Sequence, residues 1–267
     1  MRILFIGDVV GDRGVQMIQT YLPQLKRDLK PQATIVNGEN STPVGRGISQ
    51  KIYKQLLASG ADVVTMGNHT WDNKEIYDFI DDTTKLVRPA NFPGEDVPGR
   101  GWTKLKVNQA TLAVINLQGR VFLPPLDDPF AVADKLVTEI RKETPVIFVD
   151  FHGEVTSEKR AIALYLKGRV SAVVGTHTHV QTNDAQVIDH QTAFMSDAGM
   201  TGPSAGILGM QPASVISRFL NQRPARYEVE TSEPGIMSGC VIDINDETGH
   251  ATKIKSVLID DDHPYDR

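Results

Sequence analysis

The stretch Ile3-Leu4-Phe5-Ile6-Gly7-Asp8 is a short apolar run that stops at a glycine followed by a carboxylate. Residues 33–40, Ala-Thr-Ile-Val-Asn-Gly-Glu-Asn, repeat that form, and such short apolar runs are typical of buried strands. Between the two runs, apolar residues recur at steps of three and four over residues 15–29, which predicts one face of a helix despite Pro23. The N-terminal part therefore reads as a β-α-β unit.

The same alternation continues along the chain. A helix is predicted from Ser49, a good N-cap, to Gly60, and a strand over 62–66 leads to Gly67. Further strands are predicted over 102–107, 111–117, 146–151 and 170–174, and further helices over 130–142 and 157–167. The stretches 186–196, 226–230 and 235–259 predict an antiparallel β region. The fold class is therefore α/β, in a single domain spanning 1–267 whose last residues, 260–267, are expected to be a frayed tail.

The composition restricts the function. The 267 residues carry a net charge of -5, which argues against duplex nucleic acid as a partner, because there is no basic field to drive counterion release. Cys240 is the only cysteine, so an internal disulfide and a cysteine-based zinc cluster are excluded. The N-terminal apolar run is too short for a signal peptide and no run approaches the length of a membrane span, so we expect a cytoplasmic protein with no membrane partner.

Five predicted strand ends share one property: each apolar run stops at side chains that can bind a metal. These side chains are Asp8, then Glu39 with Asn40, then Asn68 with His69, then His152, and finally His177 with His179. In α/β sheets the carboxyl ends of the strands meet at one crevice, so residues distant in sequence can converge there. Carboxylates, imidazoles and amide oxygens suit iron, manganese or zinc.

Each of these residues, taken alone, could have a structural role instead of binding a metal. A single Asp or Asn at a strand end is more often a turn former or a helix cap than a ligand, and a single histidine is more often structural or exposed. Four of the seven histidines, however, directly follow predicted strands, and this recurrence favours a metal centre. His190, His250 and His263 lack that placement and are predicted to be surface residues.

Two ions need a shared ligand, and the carboxylate of Glu39 is best suited to bridge them at a metal–metal distance of about 3.5–4 Å. Asp8 and His179 then complete one site. Asn68, His152 and His177 complete the other, and the neutral amide of Asn68 keeps the total charge positive enough to attract a phosphate.

Two glycine-rich stretches are candidates for phosphate loops. Residues 7–14 lack both the Lys-Ser/Thr of a P-loop and the G-x-G-x-x-G spacing of a dinucleotide site. Gly45-Arg46-Gly47 could present an arginine to an anion, and a solvated loop arginine is an equally good interpretation.

The ordered motifs resemble the calcineurin-like metallophosphoesterase superfamily. Asp-Val-Val-Gly at 8–11, Asn-Gly-Glu-Asn at 37–40, Gly-Asn-His-Thr-Trp-Asp at 67–72 and Gly-Thr-His-Thr-His-Val at 175–180 resemble its bacterial YmdB-like branch. The resemblance implies a four-layer α/β/β/α sandwich with mixed sheets, two iron or manganese ions and a homo-oligomer. It also implies hydrolysis of phosphodiesters, including cyclic nucleotides such as 2′,3′-cyclic AMP.

Two departures from the superfamily affect the ligands. Val10 stands where the wider superfamily has a histidine, and Asn40 is the predicted replacement at the first metal. Glu39 stands where most relatives have an aspartate.

The predicted reaction is in-line attack on phosphorus by a hydroxide that both metals hold, with His69 as the general acid that protonates the departing ribose oxygen. Two alternatives stay open at this stage. One is a phosphomonoesterase or protein phosphatase on the same fold, and the other is a non-catalytic nucleotide sensor or scaffold.

Overall fold

Two mixed β-sheets stacked face to face form the centre of the computed structural model, which describes residues 1–265. The first sheet has the strand order β2-β12-β13-β1-β3-β4-β5, with β14 paired to β13. Its strands are β1 (Arg2–Ile6), β2 (Asp8–Val9), β3 (Ala33–Asn37), β4 (Val63–Thr65), β5 (Leu86–Val87), β12 (Met200–Pro203), β13 (Gly235–Ile244) and β14 (Ala251–Ile259). Strands β1, β3, β4 and β5 are parallel, so their carboxyl ends lie at one edge.

The second sheet has the order β10-β11-β9-β8-β7-β6. Its strands are β6 (Trp102–Val107), β7 (Ala110–Gln118), β8 (Ile147–His152), β9 (Ala172–Thr176), β10 (Gln186–Ile188) and β11 (Thr192–Met195). Strands β7, β8, β9 and β11 are parallel. The second sheet therefore also presents several strand carboxyl ends at a common edge.

Helices cover the outer face of each sheet. They are α1 (Gly11–Leu29), α2 (Gln50–Ala58), α3 (Pro129–Ile140) and α4 (Thr156–Leu166). The chain also forms α5 (Pro212–Asn221) and a 3-10 helix at Lys74–Asp78. Apolar residues of α1 and α2 pack on the first sheet, and those of α3 and α4 pack on the second. A third buried cluster lies between the sheets, where the rings of Phe5 and Phe148 are 5.0 Å apart. This layering confirms the four-layer α/β/β/α sandwich.

A buried polar junction links the two sheets beneath their carboxyl ends. Asp150 on β8 accepts hydrogen bonds from Asn37 Nδ2 on β3 at 3.0 Å and from Thr65 Oγ1 on β4 at 2.5 Å. Because an unpaired buried carboxylate is costly, these bonds fix the registration of one sheet over the other. The two strand-end edges are thereby held against each other.

Most local predictions are confirmed to within a few residues, including the unbroken helix through Pro23. Ser49 caps α2 through a hydrogen bond that its side chain accepts from Ile52 N at 3.2 Å. The antiparallel prediction for the C-terminal region is correct for β13 with β14 and for β10 with β11, but β11 also pairs in parallel with β9. Residues 226–230 form one bridge, from Val229 to Met210, instead of a strand.

Helix α5 was not predicted from the sequence. It begins at Pro212, and Val215 is its single buried residue. A short helix with so little core contact leaves no long apolar periodicity to detect.

The predicted tail, 260–267, lies partly outside the described residues. In its described part, Asp260 and His263 close a turn through backbone and side-chain hydrogen bonds. Tyr265 packs edge-on against Tyr21 of α1, with ring centroids 6.3 Å apart.

No helix within residues 1–265 is long and apolar enough to cross a membrane.

Candidate metal centre

The predicted strand-end ligands converge where the two sheets meet. Asp8 opens β2 directly after β1, Glu39 and Asn40 follow β3, Asn68 follows β4, His152 ends β8, and His177 and His179 follow β9. The residues therefore come from both sheets, and the inter-sheet junction at Asp150 lies directly behind them.

One group of donors surrounds the Nε2 atom of His152. Glu39 Oε1 lies 3.1 Å from it, Asn68 Oδ1 lies 2.9 Å from it, and His177 Nδ1 lies 3.1 Å from it. The ligand atoms of Glu39, His152 and His177 all lie within 4.8 Å of one another. Four donor atoms from four separate strand ends thus face one small volume.

A second group lies on the other side of Glu39. The Asn40 amide is 3.0 Å from Glu39 Oε1 and 3.2 Å from His179 Nε2. Asp8 Oδ2 accepts a hydrogen bond from His177 N at 2.9 Å, whereas Asp8 Oδ1 is buried and has no hydrogen-bond partner within residues 1–265. Glu39 is common to both groups, as its predicted bridging role requires.

Hydrogen bonds on the far side of each histidine orient its ring. Thr176 Oγ1 donates to Asp150 Oδ1 at 2.7 Å, so the hydroxyl oxygen accepts from His152 Nδ1 at 2.9 Å and leaves Nε2 facing the site. The Nε2 atom of His177 lies 3.0 Å from Glu154 Oε2 and hence donates to it, and Nδ1 faces the site. Such outer partners are what metal-binding histidines normally have.

His179 follows the same arrangement. Its Nδ1 atom is 3.0 Å from the carbonyl oxygen of Leu208, so Nδ1 donates and Nε2 faces the second group. Three ring nitrogens that face the site and two buried carboxylates, one of them with the orphaned Asp8 oxygen, repel one another unless a cation lies among them. The donor set therefore fits metal ions, and the Asn40 amide would offer its oxygen after rotation by about 180°, which its shape permits.

Without a cation, a proton takes its place: burial lowers the pKa of His152, but the carboxylates of Glu39, Asp8 and Asp150 outweigh it and raise that pKa to about 9. Burial raises the pKa of Asp8 well above its ordinary value, because the carboxylate has lost its water. Burial alone would also raise the pKa of Glu39, but the nearby imidazoles of His152 and His69 outweigh it and lower the pKa. Burial and the neighbouring ring of His152 lower the pKa of His177, which favours the neutral, metal-binding form.

The backbone around the two last ligands is strained. His177 has φ of 100° and His179 has φ of 66°, both in the left-handed region that side chains other than glycine rarely adopt. Asp197 Oδ2 holds the segment by accepting from Thr178 N at 3.0 Å and from the buried Lys159 Nζ at 2.6 Å. The Lys159–Asp197 pair thus anchors the loop that carries both histidines.

Gly67 permits the close approach of two ligands. A Cβ atom at this position would lie 2.4 Å from Glu39 Oε2 and 2.5 Å from two ring carbons of His152. Any side chain here would therefore displace the carboxylate common to both donor groups.

His69 is placed beside the cluster rather than in it. Its backbone N–H donates to Glu39 Oε2 at 3.0 Å, and its Nδ1 atom is 2.9 Å from Asp72 Oδ2. The ring therefore donates from Nδ1 to the carboxylate and turns Nε2 toward an open pocket of about 400 Å³. Apolar side chains, among them Leu208, Met210 and Phe219, form the opposite wall of that pocket.

The structure brings together all eight residues predicted from the sequence. The supporting residues were missed; they are Asp72, Asp150, Glu154, Lys159, Thr176 and Asp197. Asp72 and Glu154 had a usable signal, since each lies two or three residues from a predicted site histidine. Lys159 also had a signal, because it lies three and seven residues before Ile162 and Leu166 on the apolar face of the predicted helix. Asp150 was the one charged residue within the predicted strand over 146–151, two residues before His152.

Comparisons with known proteins agree with this arrangement. A family model described as "YmdB-like protein" matches residues 4–257. The chain is 58% identical, over 99% of both chains, to a protein of Bacillus subtilis (strain 168) named "2′,3′-cyclic-nucleotide 2′-phosphodiesterase". Two crystal structures superpose closely: a hypothetical protein from Thermus thermophilus (TM-score 0.90, 36% identity, 97% of this chain and 99% of that one) and a phosphatase from Mycoplasma pneumoniae (TM-score 0.91, 31% identity, 97% and 93%).

Proposed function

The chain belongs to the YmdB-like protein family, and on that premise we propose that it is a metal-dependent phosphodiesterase that hydrolyses small cyclic nucleotides such as 2′,3′-cyclic AMP. The observation that carries the proposal is the position of His69. Its ring lines the pocket directly beside the donor cluster while Asp72, and no cluster residue, holds its Nδ1 atom. A site built only to bind metal tightly would close around the ion instead of keeping a spare acid at an open pocket.

Two metal ions, iron or manganese, are part of this proposal. Asp8, Asn40 and His179 would hold one ion, Asn68, His152 and His177 would hold the other, and Glu39 would contribute to both. Such ions supply a nucleophilic water at neutral pH and neutralise charge on the phosphate oxygens. The orphaned oxygen of Asp8 and the inward-facing ring nitrogens support the assignment.

His69 supplies the proton in the proposed reaction. Water oxygen bonds to phosphorus, one phosphorus–oxygen bond to the ribose breaks, and the proton on His69 Nε2 moves to the released ribose oxygen. Asp72 stabilises the protonated imidazole and keeps its Nε2–H directed into the pocket. The product is a nucleoside phosphomonoester with one free hydroxyl group.

The pocket suits a nucleotide. Its volume of about 400 Å³ falls in the range of small-molecule sites. One part of its lining is polar and could bind metal, and another part is apolar. The cyclic phosphate would face the donors while the base contacts the apolar wall. The negative net charge of the protein is no obstacle, because bound cations provide the local positive charge.

The test is hydrolysis by purified protein stripped of metal with a chelator and then reloaded with Mn²⁺ or Fe²⁺. The substrates are 2′,3′-cyclic AMP, bis-p-nitrophenyl phosphate and the monoester p-nitrophenyl phosphate. We expect turnover of the two diesters that depends on added metal. Faster turnover of the monoester would favour a phosphomonoesterase, and no turnover with metal bound would favour a sensor.

The His69→Ala variant separates catalysis from metal binding. We expect it to lose about 10²–10⁴-fold in kcat, the usual contribution of a general acid, while its metal content by elemental analysis is unchanged. His190→Ala, which changes an exposed histidine between β10 and β11, is the matched control. Loss of the metals in His69→Ala would make His69 a ligand and refute its role as the acid.

A cytoplasmic location and a homo-oligomeric state stay predictions from the sequence.

A further inference from the structure

A groove of about 710 Å³ adjoins the metal-site pocket and is lined by three arginines. They are Arg46, from the glycine-flanked loop after β3, Arg218 on α5, and Arg226 in the segment between α5 and β13. Glu228 is the one acidic side chain that also lines the groove. The local charge is therefore positive in a protein whose net charge is -5.

None of the three guanidinium groups forms an ion pair with another described residue. The arginine ion pairs within residues 1–265 belong to Arg2, Arg13, Arg27, Arg120 and Arg169. Arg218 instead lies over the ring of Tyr227, with its central carbon 5.6 Å from the ring centroid. Guanidinium groups without carboxylate partners can bind phosphate without first breaking an ion pair.

The chain segment around the groove is also positively charged. From 198 to 227 the sequence contains Arg218, Arg223 and Arg226 and no acidic residue. This segment includes α5 and forms the apolar wall of the metal-site pocket through Val215 and Phe219. One structural unit therefore provides both an apolar surface and a positive surface next to the site.

The groove and the metal-site pocket are continuous. Val44, Arg46 and Tyr227 line both of them, so the half-buried tyrosine ring stands at the passage between the two. A partly exposed aromatic ring beside several arginines is an arrangement by which proteins hold single-stranded nucleic acid, with bases stacked on the ring and phosphates on the cations.

We propose that the substrates include short oligoribonucleotides that end in a 2′,3′-cyclic phosphate, an inference that rests on the proposed phosphodiesterase function. The terminal cyclic phosphate lies at the metal centre and the terminal base lies against Tyr227. The preceding phosphodiester lies on Arg46, Arg218 and Arg226. Water adds to the terminal phosphorus, one ring phosphorus–oxygen bond breaks, and the proton goes to the released ribose oxygen, while the internal diester stays intact.

The first test compares kcat/KM for 2′,3′-cyclic AMP with kcat/KM for the adenosine dinucleotide that ends in a 2′,3′-cyclic phosphate. We expect the dinucleotide to be favoured about tenfold, the contribution of one charge-assisted hydrogen bond to the added phosphate. Arg226→Gln should remove most of this advantage and leave hydrolysis of the mononucleotide unchanged. Arg223→Gln is the matched control, because Arg223 is exposed in the same segment and does not line the groove.

The second test measures binding without chemistry, by fluorescence anisotropy of a labelled adenosine dinucleotide that ends in a 3′-phosphate. Wild type and Arg223→Gln should bind it more tightly than Arg226→Gln, and the difference should shrink as salt is raised. If the dinucleotide binds with these differences but neither cyclic phosphate is hydrolysed, the groove is a nucleotide-binding site and the proposed phosphodiesterase function is refuted.

If all three proteins bind the dinucleotide equally, or if both variants lose the same affinity, the groove is not the binding site for the preceding phosphodiester. Hydrolysis of 2′,3′-cyclic AMP with no preference for the dinucleotide would also refute it, and would leave the proposed function intact.

Discussion

The Asp197→Asn substitution tests whether the buried Lys159–Asp197 pair holds the histidine loop. Both side chains are fully buried, and Asp197 accepts from three donors: Lys159 Nζ at 2.6 Å, Thr178 N at 3.0 Å and Gly199 N at 2.8 Å. Asparagine keeps the volume but has one acceptor oxygen for three donors. It also turns an N–H group toward the lysine or a backbone N–H.

The expected loss of stability is large because the lysine is left charged and unpaired. Removing one partner of a buried ion pair costs about 3–5 kcal/mol of the free energy of unfolding. Lys159→Met should cost less, because Asp197 keeps both backbone N–H donors. The double variant should be more stable than the sum of the two single effects predicts, with a coupling of about 1–3 kcal/mol.

The loop geometry predicts a second effect. Thr178 stands between the proposed ligands His177 and His179, whose left-handed backbone has to be held in place. Without Asp197 the two rings lose their fixed positions, and metal affinity should fall about 10–100-fold, as it does when other outer partners of a metal site are removed.

Stability is measured by urea unfolding in the presence of a chelator, with circular dichroism as the signal. Metal affinity is measured by calorimetric titration of Mn²⁺ into the metal-free protein. The chelator separates the stability of the pair from the stability that bound metal adds. Glu143→Gln is the control, since it breaks the exposed Lys104–Glu143 pair and should cost less than about 1 kcal/mol. If Asp197→Asn costs no more than this control, or binds Mn²⁺ as wild type does, the reasoning is wrong.

Three other predictions concern single positions. Gly67→Ala places a methyl group 2.4 Å from a carboxylate oxygen of the shared ligand, so metal affinity measured by titration should fall at least about tenfold, and unchanged affinity would contradict the packing argument. Burial raises the pKa of Cys240 to about 12, so its thiol should not react with Ellman's reagent at pH 8 until denaturant is added. The hydrogen bonds and charge of Arg2 lower the pKa of Asp243, so the full advantage of wild type over Asp243→Asn in unfolding free energy should be present above about pH 4. That advantage should stay below about 1 kcal/mol because the pair is partly exposed, and it should vanish as pH falls through the pKa of the carboxyl group; an advantage that persists at pH 2 would refute it.

The sequence by itself determined the strands that build the centre of both sheets and the residues at their ends. Apolar runs such as 3–6 and 33–36 are local patterns, and a predicted ligand, Asp8 or Glu39, follows each within three residues. Parallel strands end at a common edge, so the convergence of these residues within each sheet followed from the order of elements. The meeting of the two edges depended on how the sheets stack. The alternation of strands and helices likewise indicated the α/β class.

Only the tertiary structure decided which polar residues support the site. Lys159 shares the buried face of α4 with Ile162 and Leu166, so its burial is compatible with the helical periodicity. Its partner Asp197, from beyond β11, could not be identified from that pattern. The parallel pairing of β11 with β9 and the position of α5 over the pocket are also set by neighbours distant in the chain. Which polar side chains pair and which strands lie side by side depend on partner segments that are distant in the chain. The periodicity of one segment does not identify its partner.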